Sequence, residues 1–258
     1  MLSKSKITFI KSLHQKKFRE EELLFIAEGS KVVDELLKSS FVVKTIVATS
    51  SYLSSIDHKL LTAVPEVIEV KSSDMERISA LTTPQEVLAV VEIPKFILEI
   101  ADLKGKLTLL LDDVRDPGNF GTIVRIAHWY GVGQIIASLN SVDPFNPKVV
   151  QAAMGSLFHV PVYSIGLEGL LSQVKAETDL PVYATVLGGA NLFDAPISQE
   201  GLIILGNESM GIRTSLQELS SHKITIPSYE LQPGNKPESL NVGVSAAIVL
   251  SEFRRKAH

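Results

Sequence analysis

The 258-residue sequence contains no cysteine, which excludes disulfide bonds, thiolate zinc sites and cysteine nucleophiles. Its histidines are scattered singly without the spacing of metal ligands, so we expect no metal site. No apolar run reaches the roughly 18 residues that a transmembrane helix requires. Residues 1–17 are charged throughout and lack the apolar stretch of a signal peptide, so we expect a cytoplasmic protein without a membrane partner.

Two common cofactor fingerprints are also missing. The sequence has neither a G-x-G-x-x-G between strand and helix nor a G-x-x-x-x-G-K-[ST], which argues against a conventional Rossmann dehydrogenase and a P-loop NTPase. The net charge of −4 argues against a protein that coats nucleic acid, but it allows local RNA binding. The first 19 residues carry only basic charges, which suit either a basic patch or the solvated face of an ordinary helix: Lys4, Lys6, Lys11, Lys16, Lys17 and Arg19.

What the chain does contain is a repeated alternation of helical and β-branched segments. Residues 1–95 begin with a predicted helix over Ser3–Glu22 and continue as a compact α/β domain. Pro94–Gly105 has the composition of a linker. The apolar run Leu107–Val114 then predicts a strand buried on both faces of a parallel sheet, and the last helix is predicted from Ser239 to Lys256. We therefore predict two α/β domains.

Three polar loops each follow a predicted strand of the second domain, at Asp112–Gly121, Gly206–Gly211 and Pro227–Glu238. Ligands of open α/β sheets bind at the carboxyl ends of the strands. The three loops are therefore expected to meet at one edge of the sheet and to form one site.

In the first loop, Asn119 is predicted to be the N-cap of the following helix. Arg125 lies off the inward stripe of that helix and leans back towards the loop. It could bind phosphate or stabilise a developing oxyanion, or it could form a surface salt bridge to Asp112 or Asp116.

The second loop places Glu208 directly after a strand, where it could orient a substrate hydroxyl or an arginine, or cap a helix near Gly211. In the third loop, Ser239 has the position of an N-cap at the start of the last helix. It lacks the G-x-S-x-G context of a hydrolytic nucleophile. The small residues of that helix favour a packed interface.

In this order, the segments DPGNFGTIVRIA, LGNESMGI and IPSYELQPGNKPESLNVGVSAAI resemble the three motifs of the SpoU/TrmH family of RNA ribose 2′-O-methyltransferases. The N-terminal segments SLHQKKFREEELLFIAEGSKVVDELL and LTTPQEVLAVV are similar to the substrate-binding domain of that family, whose α/β fold is like that of certain ribosomal proteins. The resemblance covers nearly the whole chain.

The resemblance implies an RNA substrate-binding domain at 1–95, a linker at 96–106 and a methyltransferase domain at 107–258. The second domain would carry a trefoil knot, which general folding rules do not anticipate. The resemblance further implies a homodimer and an RNA substrate, rRNA rather than tRNA, methylated with S-adenosylmethionine. The catalytic positions carried over are Asn119, Arg125, Glu208, Ser239 and Asn241, and the positions expected to contact S-adenosylmethionine are Gly206, Asn207, Ile226 and Leu240.

In the family pattern the arginine lies near the ribose 2′-hydroxyl. A guanidinium holds its proton too tightly to act as a base, so stabilisation of the nascent alkoxide is the easier role for Arg125, with a substrate phosphate or a neighbouring group taking the proton. The chain departs from the family at Gln151 and Ala153, where Arg and Ser are usual, and in a longer loop between Pro227 and Ser239. The alternatives are an RNA-binding protein of this fold without catalysis and another nucleotide- or small-molecule-binding α/β enzyme.

Overall fold

A computed structural model describes residues 2–229 and 237–255. The chain folds into two compact units, one built from segments 1–95 and 143–159 and the other from segments 96–142 and 160–258. Within the described ranges, no helix combines the length and the apolar character needed to span a membrane.

The helices and strands follow one another along the chain in two alternating series. The helices are α1 (Lys4–Ser12), α2 (Lys16–Glu22), α3 (Ser30–Leu37), α4 (Ser50–Ser55), α5 (Ser72–Ile78), α6 (Pro117–Trp129), α7 (Pro147–Ala153), α8 (Leu167–Glu177), α9 (Thr214–Leu219) and α10 (Val242–Arg255). The strands are β1 (Leu24–Glu28), β2 (Val43–Thr49), β3 (Glu66–Val70), β4 (Val87–Glu92), β5 (Leu107–Leu111), β6 (Gln134–Ala137), β7 (Val162–Ser164), β8 (Val182–Asn191), β9 (Gly201–Leu205) and β10 (His222–Thr225).

The first unit contains a mixed four-stranded sheet in the order β1-β4-β2-β3. Strand β4 runs antiparallel to both of its neighbours, whereas β2 and β3 are parallel. The β-branched and aliphatic residues of β4 are buried over five consecutive positions, as expected for a strand inside a sheet. Aliphatic residues of α1 and α5 pack on one face of this sheet.

The single helix predicted over Ser3–Glu22 is interrupted after α1, and the reason is a buried arginine. Arg19 is 2% exposed and its Nη1 donates to the backbone oxygens of Leu13 and His14, at 3.0 and 2.9 Å. Its Nε and Nη2 bind Asp143 at 2.9 and 2.5 Å. Because this carboxylate is far away in the sequence, local periodicity does not reveal the break.

The basic residues near the N-terminus therefore do not all form an exposed patch. Lys6 pairs with Glu66, and Lys16 and Lys17 pair with acids one helical turn further on. With Arg19 buried, this surface is closer to a solvated, charge-balanced helix face than to a phosphate-binding patch.

Segment 143–159 packs within the first unit. The Phe145 ring lies 4.8 Å from that of Phe25, and Phe158 meets Phe41 edge-on at 5.3 Å, measured between ring centroids. Helix α7 ends at Ala153, since Met154 and Gly155 both adopt positive φ. Gln151 and Ala153, the two departures from the family pattern, both lie on α7.

The second unit is built around a parallel six-stranded sheet in the order β10-β8-β9-β5-β6-β7. The central strand β5 is buried at every position, which confirms the predicted strand that is covered on both faces. In the predicted linker, Ile100–Leu103 forms a 3₁₀ turn whose Leu103 is packed in the core of this unit.

Candidate functional site

The first two polar loops begin side by side. Strands β5 and β9 are neighbours, and their last residues, Leu111 and Leu205, stand opposite each other in the register. The loops that follow therefore leave the sheet at the same level, as the rule for carboxyl ends of parallel strands predicts.

The start of α6 is organised differently from the sequence prediction. The N-cap is Asp116, whose carboxylate accepts from the backbone N–H of Asn119 at 2.7 Å, and Pro117 occupies the first helical position. The prediction that Asn119 is the N-cap was wrong. Because Asp116 caps the helix, the Asn119 side chain is left to interact with the other loops.

The second loop is a tight turn closed by two backbone hydrogen bonds between Asn207 and Gly211, at 3.1 and 2.9 Å. A Cβ on Gly206 would lie 2.3 Å from the carbonyl carbon of Gly211, so only glycine allows the two backbone segments to approach this closely. The Asn207 side chain accepts from the backbone N–H of Ser209 and Met210 and donates to the backbone oxygen of Asp113. Its amide therefore shapes the loop.

The third loop lies partly outside the described residues, which omit 230–236, and so does the predicted extra length between Pro227 and Ser239. The last helix begins at Val242, and the Asn241 side chain accepts from the backbone N–H groups of Gly243 and Val244 at 2.9 and 3.2 Å. The cap is thus Asn241, and the prediction of Ser239 as N-cap was wrong.

Four of the predicted catalytic residues form one hydrogen-bonded network. The amide of Asn119 donates to Glu208 Oε1 at 2.6 Å, and the amide of Asn241 donates to Asn119 Oδ1 at 2.9 Å. Ser239 Oγ lies 3.3 Å from the backbone oxygen of Glu208, to which it donates. The network connects all three loops, so Glu208 binds Asn119 instead of capping a helix near Gly211.

Arg125 is exposed on α6 and has no ion-pair partner among the described residues. Its salt bridge to Asp112 or Asp116 is not formed, because Asp112 pairs with Arg213 and Asp116 caps α6. Arg125 follows Asn119 by six residues, about 9 Å along the helix axis. Six residues also correspond to about one and two-thirds helical turns, so the two side chains leave α6 on different sides, and no contact among the described residues joins Arg125 to the network.

Arg213 is a residue of this site that the sequence reasoning missed. It follows the second loop directly and binds the buried carboxylate of Asp112 through Nε and Nη2, at 2.8 and 2.7 Å. This hydrogen bonding raises the pKa of Arg213 above its ordinary value. No local sequence pattern predicts this ion pair, because Asp112 and Arg213 are distant in the sequence.

Next to the network lies an open cleft of about 660 Å³. Its lining includes the four residues expected to contact a cofactor, namely Gly206, Asn207, Ile226 and Leu240. Glu208 and Ser239 also line it and so connect the cleft to the network. The cleft is bounded on the other side by Thr185–Leu187 of β8, which the sequence reasoning did not assign to the site.

The β8 part of the cleft arises from an irregular strand. Ala184 pairs with Lys223 of β10, yet Ala190 pairs with the next residue, Ile224, so residues 185–189 bulge out of the ladder. A Cβ on Gly189 would lie 2.7 Å from the Ile224 backbone, which explains a glycine at this position. The adjacent Gly188 and Gly189 were the available sequence signal for this bulge.

Comparison with known families gives two matches along the chain. Residues 106–251 match the SpoU rRNA methylase family, and residues 4–89 match the MRM3-like substrate binding domain. The two matched ranges together cover most of the chain.

Individual relatives and solved structures agree with this assignment. The chain is 34% identical to the 23S rRNA (guanosine(2553)-2′-O)-methyltransferase RlmP of Bacillus subtilis, over 95% of this chain and 94% of the relative. A TrmH-family protein from Porphyromonas gingivalis has a TM-score of 0.88 at 37% identity, with 99% of both chains covered. An rRNA methyltransferase from Sinorhizobium meliloti with bound S-adenosylmethionine has a TM-score of 0.86 at 29% identity, covering 100% of this chain and 98% of its own.

Proposed function

The chain belongs to the SpoU rRNA methylase family, and we propose that it methylates a ribose 2′-hydroxyl of rRNA. It uses S-adenosylmethionine as methyl donor and RNA as acceptor. The observation that carries this function is the network that joins Asn119, Glu208, Ser239 and Asn241 beside the cleft. It places side chains from three distant motifs around one position.

The cleft suits S-adenosylmethionine in size and in chemistry. Its volume falls within the range of pockets that enclose cofactor-sized ligands. Ile224, Ile226 and Leu240 provide apolar surface, and the backbone around Gly206 provides polar groups. The close approach of Gly206 to Gly211 gives the loop a fixed edge against which such a ligand can be held.

S-adenosylmethionine supplies an electrophilic methyl group on a sulfonium, so the protein has to orient the ribose oxygen and stabilise its developing negative charge. We assign the second task to Arg125, which is exposed and carries a charge without an ion-pair partner in the described chain. A guanidinium does not release its proton near neutral pH, so the hydroxyl proton leaves to a substrate phosphate or a neighbouring group. The network of Asn119, Glu208 and Asn241 orients the ribose.

The choice of rRNA over tRNA is supported by the relatives, which include 23S rRNA 2′-O-methyltransferases of Bacillus subtilis and, at 28% identity, of Neisseria meningitidis. We assign RNA substrate binding to residues 1–95, the linker to 96–106 and methyl transfer to 107–258. The knotted threading of the second domain and a cytoplasmic location stay predictions from the sequence.

We further propose that the chain acts as a homodimer through α6 and α10. Trp129 on α6 is 83% exposed, and Val244 on α10 is 49% exposed. Phe193 is 41% exposed beside α10, where it shares a shallow groove with Ala247 and Ile248. Large apolar side chains gathered on one region commonly mark a protein interface. Light scattering should give the mass of two chains for the wild type and of one chain for Val244→Asp.

The function is tested by transfer of labelled methyl groups to rRNA and to tRNA from cells that lack the gene. We expect label in rRNA at one nucleotide, with a 2′-O-methyl group that makes the adjacent phosphodiester resistant to alkali. Label only in tRNA would refute the choice of rRNA. Binding of S-adenosylmethionine and RNA without any transfer would identify a catalytically inactive RNA-binding protein instead.

A further inference from the structure

A single residue, Asp112, holds both ends of the second loop. Its backbone N–H donates to the oxygen of Leu205, the last residue of β9, at 2.9 Å. Its carboxylate accepts from the backbone N–H of Arg213 at 2.9 Å and from the Arg213 Nε–H at 2.8 Å, and Nη2 lies 2.7 Å from the oxygen that binds Nε. The loop Gly206–Ile212 therefore begins and ends on one aspartate.

The contact between Asp112 and Arg213 is chemically strong and well placed. The Asp112 side chain is fully buried, and a buried carboxylate depends on charged, well-directed donors. The Arg213 Nη1, on the side of the guanidinium away from Asp112, donates to Glu168 Oε1 on α8 at 2.6 Å. This contact fixes the orientation of the guanidinium plane. Ser215 Oγ donates to the same oxygen at 3.2 Å, so the arginine is held from two sides.

The loop between these anchors carries the chemistry of the site. All seven residues of Gly206–Ile212 line the cleft, and Glu208 in its middle binds Asn119. A second tie, from the Asn207 amide to the backbone oxygen of Asp113, reaches the neighbouring residue of the same anchor. Any change in the anchor therefore alters the wall of the cleft and the direction of the Glu208 carboxylate.

We propose that Asp112 and Arg213 are positioning residues of the methyltransferase, which hold the second loop in the shape that binds S-adenosylmethionine. The inference rests on the proposed function, since it takes the cleft to be the S-adenosylmethionine site. If the loop adopts its binding shape only part of the time, the apparent affinity for S-adenosylmethionine is reduced in proportion to the fraction of molecules in that shape. A purely structural ion pair would lower the melting temperature and leave the affinity of the folded protein unchanged.

The test measures the dissociation constant of S-adenosylmethionine by calorimetry, at a temperature where circular dichroism shows each variant to be folded. Arg213→Lys keeps the charge but loses the paired contacts of Nε and Nη2 with Asp112 Oδ1, and we expect about tenfold weaker binding. Glu168→Gln, which changes an exposed residue, should weaken binding about threefold. Arg255→Lys is the control, because Arg255 also pairs a guanidinium with a buried carboxylate, that of Glu252 at the far end of α10, and the affinity of this variant should equal that of the wild type.

Wild-type affinity in a folded Arg213→Lys protein would overturn the inference and leave the proposed function intact. If that variant does not fold, Glu168→Gln decides, since unchanged binding there overturns the inference as well. A wild-type protein that does not bind S-adenosylmethionine would refute the proposed function first and the inference with it. Equal losses in Arg213→Lys and Arg255→Lys would also contradict a specific role of this anchor.

Discussion

Replacing Gly206 by alanine tests directly whether the geometry of the second loop is needed for S-adenosylmethionine. The added Cβ would lie 2.3 Å from the carbonyl carbon of Gly211, 2.5 Å from its oxygen and 2.5 Å from the nitrogen of Ile212. Ordinary contacts between carbon atoms are about 3.5–4.0 Å, so the two backbone segments must separate by about 1 Å or more. Neither side can avoid this by a change of rotamer, because all of the contacted atoms belong to the backbone.

The separation breaks the two hydrogen bonds that close the turn between Asn207 and Gly211. At about 1 kcal/mol for each bond, the closed loop loses about 2 kcal/mol relative to an open one. If binding requires the closed loop, this loss corresponds to about 30-fold weaker affinity for S-adenosylmethionine. This is the largest effect that the two lost bonds alone can produce, because affinity falls only as far as the closed loop is depopulated.

The assay is isothermal calorimetry with S-adenosylmethionine, accompanied by thermal unfolding. Gly169→Ala is the matched control, because Gly169 lies in α8 and the added Cβ would meet no heavy atom within 4 Å beyond its chain neighbours and the backbone of its own helix. Alanine has the higher helix propensity, so this variant should keep wild-type affinity and unfold at an equal or higher temperature. A Gly206→Ala protein that binds as tightly as the wild type would refute the reasoning.

Three further predictions concern single side chains. Arg125→Lys should lower the turnover number about 100-fold, because one hydrogen-bond donor to the transition state is lost. The dissociation constant of S-adenosylmethionine should stay within about twofold of the wild-type value. Wild-type turnover in this variant would exclude the proposed role of Arg125. Arg19→Met should lower the free energy of unfolding by about 3–5 kcal/mol, measured by urea titration, since Asp143 loses its partner. Lys16→Met, at the exposed pair with Glu20, should cost less than about 1 kcal/mol. Burial lowers the pKa of His14 below its usual 6.5, so the unfolded chain binds more protons at this residue and the free energy of unfolding falls as the pH drops below about 6.5. Urea titrations at about pH 7 and pH 5.5 should therefore show a smaller loss of stability for His14→Gln than for the wild type. An equal loss in the two proteins would contradict this.

The sequence reasoning predicted the alternation of helices and strands and the convergence of the loops, because both follow from local patterns. The run at Leu107 identified the central strand, and polar segments after apolar runs located the loops at the sheet edge. The family resemblance then named the residues of the network, and the comparisons confirm the family.

What the sequence could not predict depends on partners far away in the chain. The break after α1 is stabilised by Asp143, and the anchor of the second loop joins Asp112 to Arg213. The cap of α10 was misplaced by two residues, since Ser239 and Asn241 are both good capping residues and only the backbone path decides between them. The helix break, the loop anchor and the cap position all depend on tertiary contacts, and local propensity carries no information about such contacts.

Segment 143–159 has a consequence for any attempt to exchange the first unit between relatives. The first unit is continuous in space but not along the chain, and a fragment ending at residue 95 lacks Asp143, Phe145 and Phe158. Such a fragment would expose two aromatic faces and leave the Arg19 charge without its carboxylate. A successful transplant of the first unit therefore has to carry two separate segments of the chain together.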